Sequence, residues 1–251
     1  YYRRHFKSLR ENLFEAQRGV EWARLQSEKI ANLEARLRFA VQDDPHGYGH
    51  AVYCARPFIG DEPFLLLLGD HLYVSHIDGR RCAQQLIELA QREECAVAAV
   101  QATREHLVGR YGTLTGRRQQ GLAGVYRIDR IIEKPSLSQA ELELNTPGLR
   151  VGHYLCFFGM YILTPSLFAI IEQALHADDE KHDVALTPCL QELARRERFL
   201  ALELQGTRYD IGAKFGLLQT QLALALSGSD REEMMTAVLE LLAESARRAK
   251  A

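Results

Sequence analysis

The apolar residues of this chain alternate between helical and strand spacing. In residues 2–38 they recur every three or four positions, which predicts two helices with charged outer faces. Residues 64–68 and 96–102 are apolar at nearly every position, a pattern typical of strands buried on both faces. Between them, the spacing over residues 79–93 predicts another helix.

The second half of the chain continues the alternation of strands and helices. Four glycines divide residues 110–135, which predicts a hairpin or a sheet edge. Residues 154–163 predict a long aromatic strand, and residues 199–204 alternate like a half-buried strand. An apolar helix is expected over residues 210–226, and a last helix at 229–250 opens with a capping box.

Strands that alternate with helices predict an α/β fold. We expect a single domain over residues 1–251, with a mixed, mainly parallel sheet and helices on both faces. The chain has 47% hydrophobic and 25% charged residues, as in ordinary globular proteins, and its net charge of −2 gives no general attraction to nucleic acid or anionic membranes. No apolar run approaches the roughly 20 residues of a membrane span.

Five scattered cysteines without a CxxC pair argue against a disulfide framework or a zinc site, and favour a reducing cytoplasm. The chain starts at Tyr1, directly on a helical pattern, and we interpret it as a piece of a longer protein. The apolar C-terminal helix could pack against a partner, so a homo-oligomer is one expectation.

Several polar residues stand where a ligand would bind. Asp70 follows an apolar strand, and ligands of α/β sheets bind beyond the carboxyl ends of strands, although a lone Asp there is more often a turn residue. Gly47 and Gly49 precede a predicted helix and would let a planar base approach the backbone, although such a pair taken alone is more often an ordinary loop. Gln42 could pair with a base edge, and His50 could contact phosphate or ribose or be a plain capping residue.

Two further groups of residues admit a functional and a structural interpretation. Glu133 and Lys134 point to opposite faces if they extend a strand, so only a bend at Pro135 would bring both to one ligand. Asp210 could cap the following helix, or it could be a second carboxylate for the metal that Asp70 binds.

Together these motifs resemble bacterial UTP–glucose-1-phosphate uridylyltransferases, most clearly from about residue 41 to residue 226. The motifs that carry the resemblance, in chain order, are Gln42…Gly47-Tyr48-Gly49-His50-Ala51, Leu68-Gly69-Asp70, Tyr111-Gly112, Glu133-Lys134-Pro135, Gly159-Met160-Tyr161-Ile162-Leu163-Thr164-Pro165, Ala185-Leu186-Thr187 and Tyr209-Asp210-Ile211-Gly212-Ala213-Lys214. The histidine of Gly-Tyr-Gly-His-Ala is similar to the uridylyltransferase branch rather than to the thymidylyltransferases.

The resemblance implies a Rossmann-like nucleotidyltransferase fold and a Mg²⁺-dependent reaction, in which a sugar 1-phosphate attacks UTP to give a UDP-sugar, most simply UDP-glucose, and pyrophosphate. It implies that Asp70 and Asp210 bind Mg²⁺ and that Lys134 binds the sugar phosphate. The remaining roles it implies are nucleotide binding by Gln42, Gly47, Gly49 and His50, and sugar-phosphate binding by Gly112, Glu133, Lys134 and Lys214.

The sequence also departs from the family pattern. A Gly-x-Gly-Thr-Arg loop, which cradles the triphosphate in the family, does not occur in it, so we expect the first strand and this loop to be missing and the given chain to turn over little. Asp183 and Met160 stand where the family often has Glu and Arg, which leaves the sugar open. Two alternatives therefore remain: a non-catalytic paralogue that binds a nucleotide-sugar and regulates a partner, and an enzyme for another sugar 1-phosphate or nucleotide.

Overall fold

The computed structural model describes residues 21–177, 183–229 and 231–248. Contacts divide the chain into two compact units, residues 1–44 and 45–251. In the first unit, helix α1 spans Glu21–Arg36, and Arg24 pairs with Glu28 one turn later. The helix that the sequence predicts before α1 lies outside the described residues, and the prediction of one domain over the whole chain stays a prediction.

The second unit contains eight described strands in two sheets. The strands are β1 (Phe64–Leu67), β2 (His71–Ser75), β3 (Ala96–Arg104), β4 (Thr113–Arg118), β5 (Val125–Ile132), β6 (His153–Leu163), β7 (Phe199–Glu203) and β8 (Gly206–Asp210). Six form the central sheet in the order β1-β6-β3-β7-β5-β4, and β4 also pairs with β6. Strands β2 and β8 form a separate antiparallel pair, which the sequence analysis did not predict.

The predicted mixed sheet is confirmed, but the expectation that it is mainly parallel is wrong. Among the described strands only β3 and β7 pair in parallel, whereas β6 runs antiparallel to β1, β3 and β4, and β5 runs antiparallel to β4 and β7. A continuous apolar run reports burial on both faces and carries no information on direction. The antiparallel pair β4–β5 confirms the hairpin expected in residues 110–135.

Helices cover both faces of the central sheet, as expected. The described helices of this unit are α2 (Gly47–Tyr53), α3 (Arg56–Ile59), α4 (Cys82–Glu93), α5 (Leu137–Glu143), α6 (Ser166–His176), α7 (Leu186–Arg196), α8 (Gly216–Ser227) and α9 (Arg231–Arg248), with a 3₁₀ turn at Glu105–Arg110. Helices α6 and α7 pack on one face, and α4 packs on the other. Helix α9 corresponds to the helix predicted at 229–250, and none of the described helices is long and apolar enough to cross a membrane.

Strand β6 joins the two halves of the core, because its side chains alternate between the faces. Leu155, Phe157 and Leu163 pack under α6 and α7, while Phe158 and Met160 pack under α4. All five side chains are at most 5% exposed. The alternation is interrupted at Gly159, which has a φ of +82° and lies where the register between β3 and β6 shifts.

Two strands differ in burial from the sequence prediction. β1 is an edge strand of the described sheet rather than a strand buried on both faces, and Leu67 at its end is 46% exposed. β7 lies between β3 and β5, so Phe199, Leu200 and Ala201 are all buried, where alternation suggested only half-burial. Hydrophobicity alone does not report which neighbour a strand finds in the sheet.

Candidate functional site

A cavity of about 630 Å³ opens where the ends of several strands meet. Its volume falls within the range typical of small-molecule sites. Six of the residues that the sequence analysis singled out line it: Gly47, Asp70, Gly112, Glu133, Lys134 and Asp210. The cavity therefore gathers residues that are up to 163 positions apart in the chain, as the numbering from 47 to 210 shows.

Asp70 and Asp210 meet at one end of this cavity. Asp70 directly precedes β2 and Asp210 ends β8, and the pairing of His71 with Asp210 fixes their proximity. The backbone N–H of Ile211 donates a hydrogen bond of 3.0 Å to the carbonyl of Asp70. One side-chain ligand atom from each of Asp70, His71 and Asp210 lies within 4.8 Å of the others. The two carboxylates come together at the end of the small β2–β8 sheet rather than at the rim of the central sheet.

Asp210 does not cap the following helix. Its Oδ1 accepts a hydrogen bond of 2.9 Å from the backbone N–H of Gly212, which holds the carboxylate beside Asp70. Helix α8 begins later, at Gly216, after Phe215 in a left-handed conformation. Phe215, and not Asp210, therefore occupies the N-cap position of α8. The turn after β8 instead holds the Asp210 carboxylate at the cavity.

His71 is more buried than Asp70. Its side chain is 8% exposed, whereas that of Asp70 is 60% exposed, and its Nε2 lies 3.9 Å from Oδ1 of Asp70. Burial and the nearby charge of Arg208 lower the pKa of His71, and Asp70 and Asp210 oppose this shift. The ring is therefore neutral at pH 7, so that one of its nitrogens carries a free electron pair.

Glu133 and Lys134 line the same cavity. Both follow the end of β5, and Lys134 has a φ of +45°, so the chain bends at Lys134 itself rather than at Pro135. This bend brings both side chains into the same cavity, with Nζ of Lys134 4.0 Å from Oε1 of Glu133. The hydroxyl of Thr187 donates a hydrogen bond of 2.6 Å to Oε2 of Glu133 and holds the carboxylate.

Gly112 provides the room in which the Glu133 carboxylate lies. A Cβ at this position would come within 2.9 Å of Oε2 of Glu133 and within 2.8 Å of the ring of Phe157. The carbonyl of Gly112 accepts a hydrogen bond of 2.9 Å from the N–H of Phe157, so its backbone is fixed by β6. Close approach, rather than an unusual φ, is what requires glycine here.

Arg208 is a cationic residue of the cavity wall that the sequence analysis missed. It lies two positions before Asp210 on β8, so both side chains project from the same face of the strand. Its guanidinium carbon lies 3.9 Å from the centre of the Tyr111 ring, and Nη1 donates a hydrogen bond of 2.5 Å to the carbonyl of Phe157. Strand periodicity counted back from Asp210 would have identified it.

Gly47 and Gly49 pack against the chain segment that precedes α7. The N–H of Gly49 donates 2.8 Å to the carbonyl of Val184, and the N–H of Val184 donates 2.9 Å to the carbonyl of His46. A Cβ on either glycine would come within 2.7 Å of the carbonyl oxygen of Val184. Gly47 lines the cavity, but Gly49 is buried and does not. The close approach that needs glycine is thus to the protein's own backbone.

Tyr48 and Tyr161 also line the cavity. Burial and the charge of Asp70 raise the pKa of Tyr48 to about 12, and burial raises the pKa of Tyr161. Both hydroxyls are therefore protonated at neutral pH and can donate hydrogen bonds. The cavity thus combines carboxylates, cations and neutral donors along one surface.

Besides Gly49, three predicted residues do not line the cavity. His50 lies on α2 with Nε2 3.6 Å from the sulfur of Cys54, and it does not line the cavity. Lys214 is exposed, with Nζ 5.1 Å from the centre of the Phe215 ring, and it also lies outside the lining. Gln42 is half-buried and belongs to the first unit.

The donors at the acidic end fit a divalent cation. Two carboxylates are the ligands that Mg²⁺ prefers in proteins, usually together with substrate phosphates. Their approach to within 4.8 Å places negative charge densely at the rim of a cavity, where a cation would balance it.

Comparison with known proteins shows which family the chain belongs to. Residues 14–226 match the family described as Nucleotidyl transferase. A UTP–glucose-1-phosphate uridylyltransferase of Bacillus subtilis (strain 168) is 32% identical over 213 residues, which are 84% of this chain. The chain spans 66% of the length of that relative. UTP–glucose-1-phosphate uridylyltransferase 2 of Streptococcus pyogenes serotype M3 is 30% identical over 250 residues, 98% of this chain and 78% of that protein.

Solved structures give the same result for the fold. A UDP-glucose pyrophosphorylase complexed with UDP-glucose superimposes with a TM-score of 0.66 at 27% identity, over 86% of this chain and 76% of that one. A UTP-bound UGPase from Acinetobacter baumannii superimposes with a TM-score of 0.64 at 25% identity, over 92% of this chain and 78% of that one.

Proposed function

This chain belongs to the nucleotidyl transferase family, as its motifs predicted, and on that premise we propose that the enzyme of which it is part forms UDP-glucose and pyrophosphate from UTP and glucose 1-phosphate. The 251 residues alone should turn over little without the upstream triphosphate loop. One observation carries the proposal: the Asp70–Asp210 pair and the Glu133–Lys134 pair line the same cavity. A metal end and a sugar-phosphate end are what the joining of two phosphorylated substrates requires. The names of the relatives support the choice of uridine and glucose.

Asp70 and Asp210 would hold Mg²⁺ in this proposal. A divalent cation bound there would neutralise the phosphates and let two anionic substrates approach each other. Lys134 would pair with the phosphate of the sugar, and the carboxylate of Glu133 would accept hydrogen bonds from sugar hydroxyls. The carboxylate is already oriented by Thr187, so little ordering remains to be done when the sugar binds.

The reaction itself needs little from the protein beyond position and charge. An oxygen of the sugar phosphate attacks the α-phosphorus of UTP, the bond to the β-phosphate oxygen breaks, and pyrophosphate leaves. The attacking oxygen is already anionic, so no general base is needed. Lys134 would balance charge on the phosphate of the sugar, while Tyr48 and Tyr161 supply neutral donors along the wall.

The nucleotide would lie toward Gly47 and helix α2. Gly47 lines the cavity, and we keep Gln42, Gly49 and His50 as proposed nucleotide contacts, together with Lys214 on the phosphate side. For Gly49 the contribution would be indirect. Its N–H already donates to the carbonyl of Val184, and that carbonyl also fills the space that a Cβ at this position would need. A cytoplasmic location and a homo-oligomer also remain proposals.

The second candidate is a paralogue that binds a nucleotide-sugar without turnover. A degenerate Gly-x-Gly-Thr-Arg loop in the upstream sequence would favour it, because that loop supplies triphosphate contacts in the family, whereas an intact loop would favour the enzyme. The intact pair of Asp70 and Asp210 favours the enzyme, since a binding module has no need of metal carboxylates.

Two measurements on one preparation, the protein extended upstream to include its triphosphate loop, separate these functions. Calorimetric titration reports UDP-glucose binding, and released pyrophosphate reports turnover with UTP or dTTP and a panel of sugar 1-phosphates. Binding together with turnover of UTP and glucose 1-phosphate supports the proposal. Binding without turnover of any pair supports the paralogue, and preferential turnover of another pair reassigns the substrate.

A further inference from the structure

We propose that His71 is a third metal ligand beside Asp70 and Asp210, and that it makes this site prefer Mn²⁺ to Mg²⁺; the inference rests on the proposed metal site. His71 follows Asp70 in the chain and pairs across the β2–β8 sheet with Asp210. Residues directly opposite in an antiparallel pair project to the same side. The imidazole therefore lies on the side to which Asp210 projects.

The ring is close enough to both carboxylates to share one ion. Ligand atoms of the three side chains lie within 4.8 Å of one another, and Nε2 is 3.9 Å from Oδ1 of Asp70. Two ligands on one metal stand about 3 Å apart or slightly more when each bond is about 2.0–2.2 Å long. Small side-chain rotations would therefore complete a three-ligand site.

The two ring nitrogens of His71 differ in their surroundings. The side chain is 92% buried, from its 8% exposure, yet Nδ1 has no hydrogen-bond partner among the described residues. Nδ1 faces Gly159, whereas Nε2 faces the carboxylate of Asp70. Nε2 is therefore the nitrogen that can coordinate an ion held by the carboxylates.

Gly159 forms the slot in which the ring lies. A Cβ there would come within 2.3 Å of Nδ1 of His71, and Gly159 has a left-handed φ of +82°. The hydroxyl of Tyr73 donates a hydrogen bond of 2.7 Å to the carbonyl of Gly159 and fixes this backbone. The bulge in β6 thus makes room for the imidazole beside the two carboxylates.

A nitrogen ligand changes which metal the site prefers. Mg²⁺ is bound mainly by oxygen, whereas imidazole suits transition metals and raises the affinity for Mn²⁺ relative to Mg²⁺. Loss of His71 should therefore weaken Mn²⁺ binding at least about tenfold, as loss of metal-site partners commonly does, and should change Mg²⁺ binding less.

The test is pulsed electron paramagnetic resonance of Mn²⁺ bound to the whole chain, with Mn²⁺ as the only added ion. We expect the nitrogen-14 coupling of a coordinated imidazole in the wild type and its loss in His71→Leu. Leu suits the position because Nδ1 makes no hydrogen bond that the substitution would break. His76→Leu is the matched control, since His76 is exposed beyond the far end of β2 and contacts Thr207.

Each other outcome overturns the inference. Mn²⁺ that binds in an Asp70-dependent manner without nitrogen coupling removes His71 from the site and leaves the two-carboxylate assignment standing. Nitrogen coupling that persists in His71→Leu assigns the ligand to another histidine. A wild type that binds no Mn²⁺ at saturating concentration removes both this inference and the metal assignment beneath it.

Discussion

Replacement of Asp70 by Asn should separate stability from metal binding. The carboxylates of Asp70 and Asp210 lie within 4.8 Å of each other, which corresponds to a repulsion of about 0.9 kcal/mol in a water-like dielectric. The water-like value applies because the Asp70 side chain is 60% exposed, and physiological salt reduces it to about 0.5 kcal/mol. Asp70→Asn should thus raise the unfolding temperature in EDTA by about 1–2 °C.

When metal is added, the wild type should have a higher unfolding temperature than Asp70→Asn, the reverse of the order in EDTA. A ligand at about a hundred times its dissociation constant stabilises the wild type by about 2.7 kcal/mol, and Asp70→Asn should lose most of this gain. Thermal unfolding by circular dichroism, in EDTA and in a Mg²⁺ series, measures both effects. Asp78→Asn, an exposed Asp outside the cavity, should behave like the wild type throughout. Equal stabilisation of wild type and Asp70→Asn by Mg²⁺ would refute the reasoning.

Three further substitutions test the cavity and the core. Lys134→Gly should leave the unfolding free energy unchanged or raise it by up to about 1 kcal/mol, because the φ of +45° at Lys134 suits glycine better than lysine. Calorimetry should show that the variant binds UDP-glucose ten- to about a hundredfold more weakly. Unchanged binding would remove Lys134 from the site. Gly159→Ala should cost at least about 1–2 kcal/mol in urea unfolding and displace His71, so an unaltered stability would contradict the slot. Leu114→Ala should cost about 2–5 kcal/mol, whereas the 85% exposed Leu142→Ala should stay within about 0.5 kcal/mol, and similar losses for both would contradict the core assignment.

The order of strands and helices could be predicted from the sequence because apolar spacing reports burial. The runs that contain β1, β3 and β6 each proved to be strands, and the glycine-rich segment proved to contain the β4–β5 hairpin. Strand direction could not be predicted in the same way. β6 runs antiparallel between β1 and β3, and an eleven-residue apolar strand satisfies either direction equally well.

The short pair β2–β8 escaped prediction for a related reason. Each strand has five residues with polar positions, so neither shows a clear apolar pattern. Yet this pair brings Asp210 beside Asp70. The proximity of these carboxylates was expected from family motifs, whereas the small sheet that creates it had no signal in the periodicity of the chain.

Side-chain chemistry inside the cavity was predictable only in part. Glu133 and Lys134 were expected to reach one ligand only through a bend at Pro135, and the bend lies one residue earlier, in the left-handed backbone of Lys134. Arg208 was missed although strand periodicity from Asp210 points to it. His71 was missed because a histidine that follows an aspartate reveals neither its burial nor its unpartnered nitrogen.

The central claim is that two carboxylates distant in the chain act together on a phosphate. Pyrophosphate release from UTP and glucose 1-phosphate tests it most directly, measured at equal concentrations of folded protein that is extended upstream to include the triphosphate loop. The account predicts Mg²⁺-dependent release by the wild type and Asp78→Asn, and a rate at least about a hundredfold lower for Asp70→Asn and Asp210→Asn. A near-normal rate in either cavity variant, or no release by a wild type that binds UDP-glucose, would contradict it.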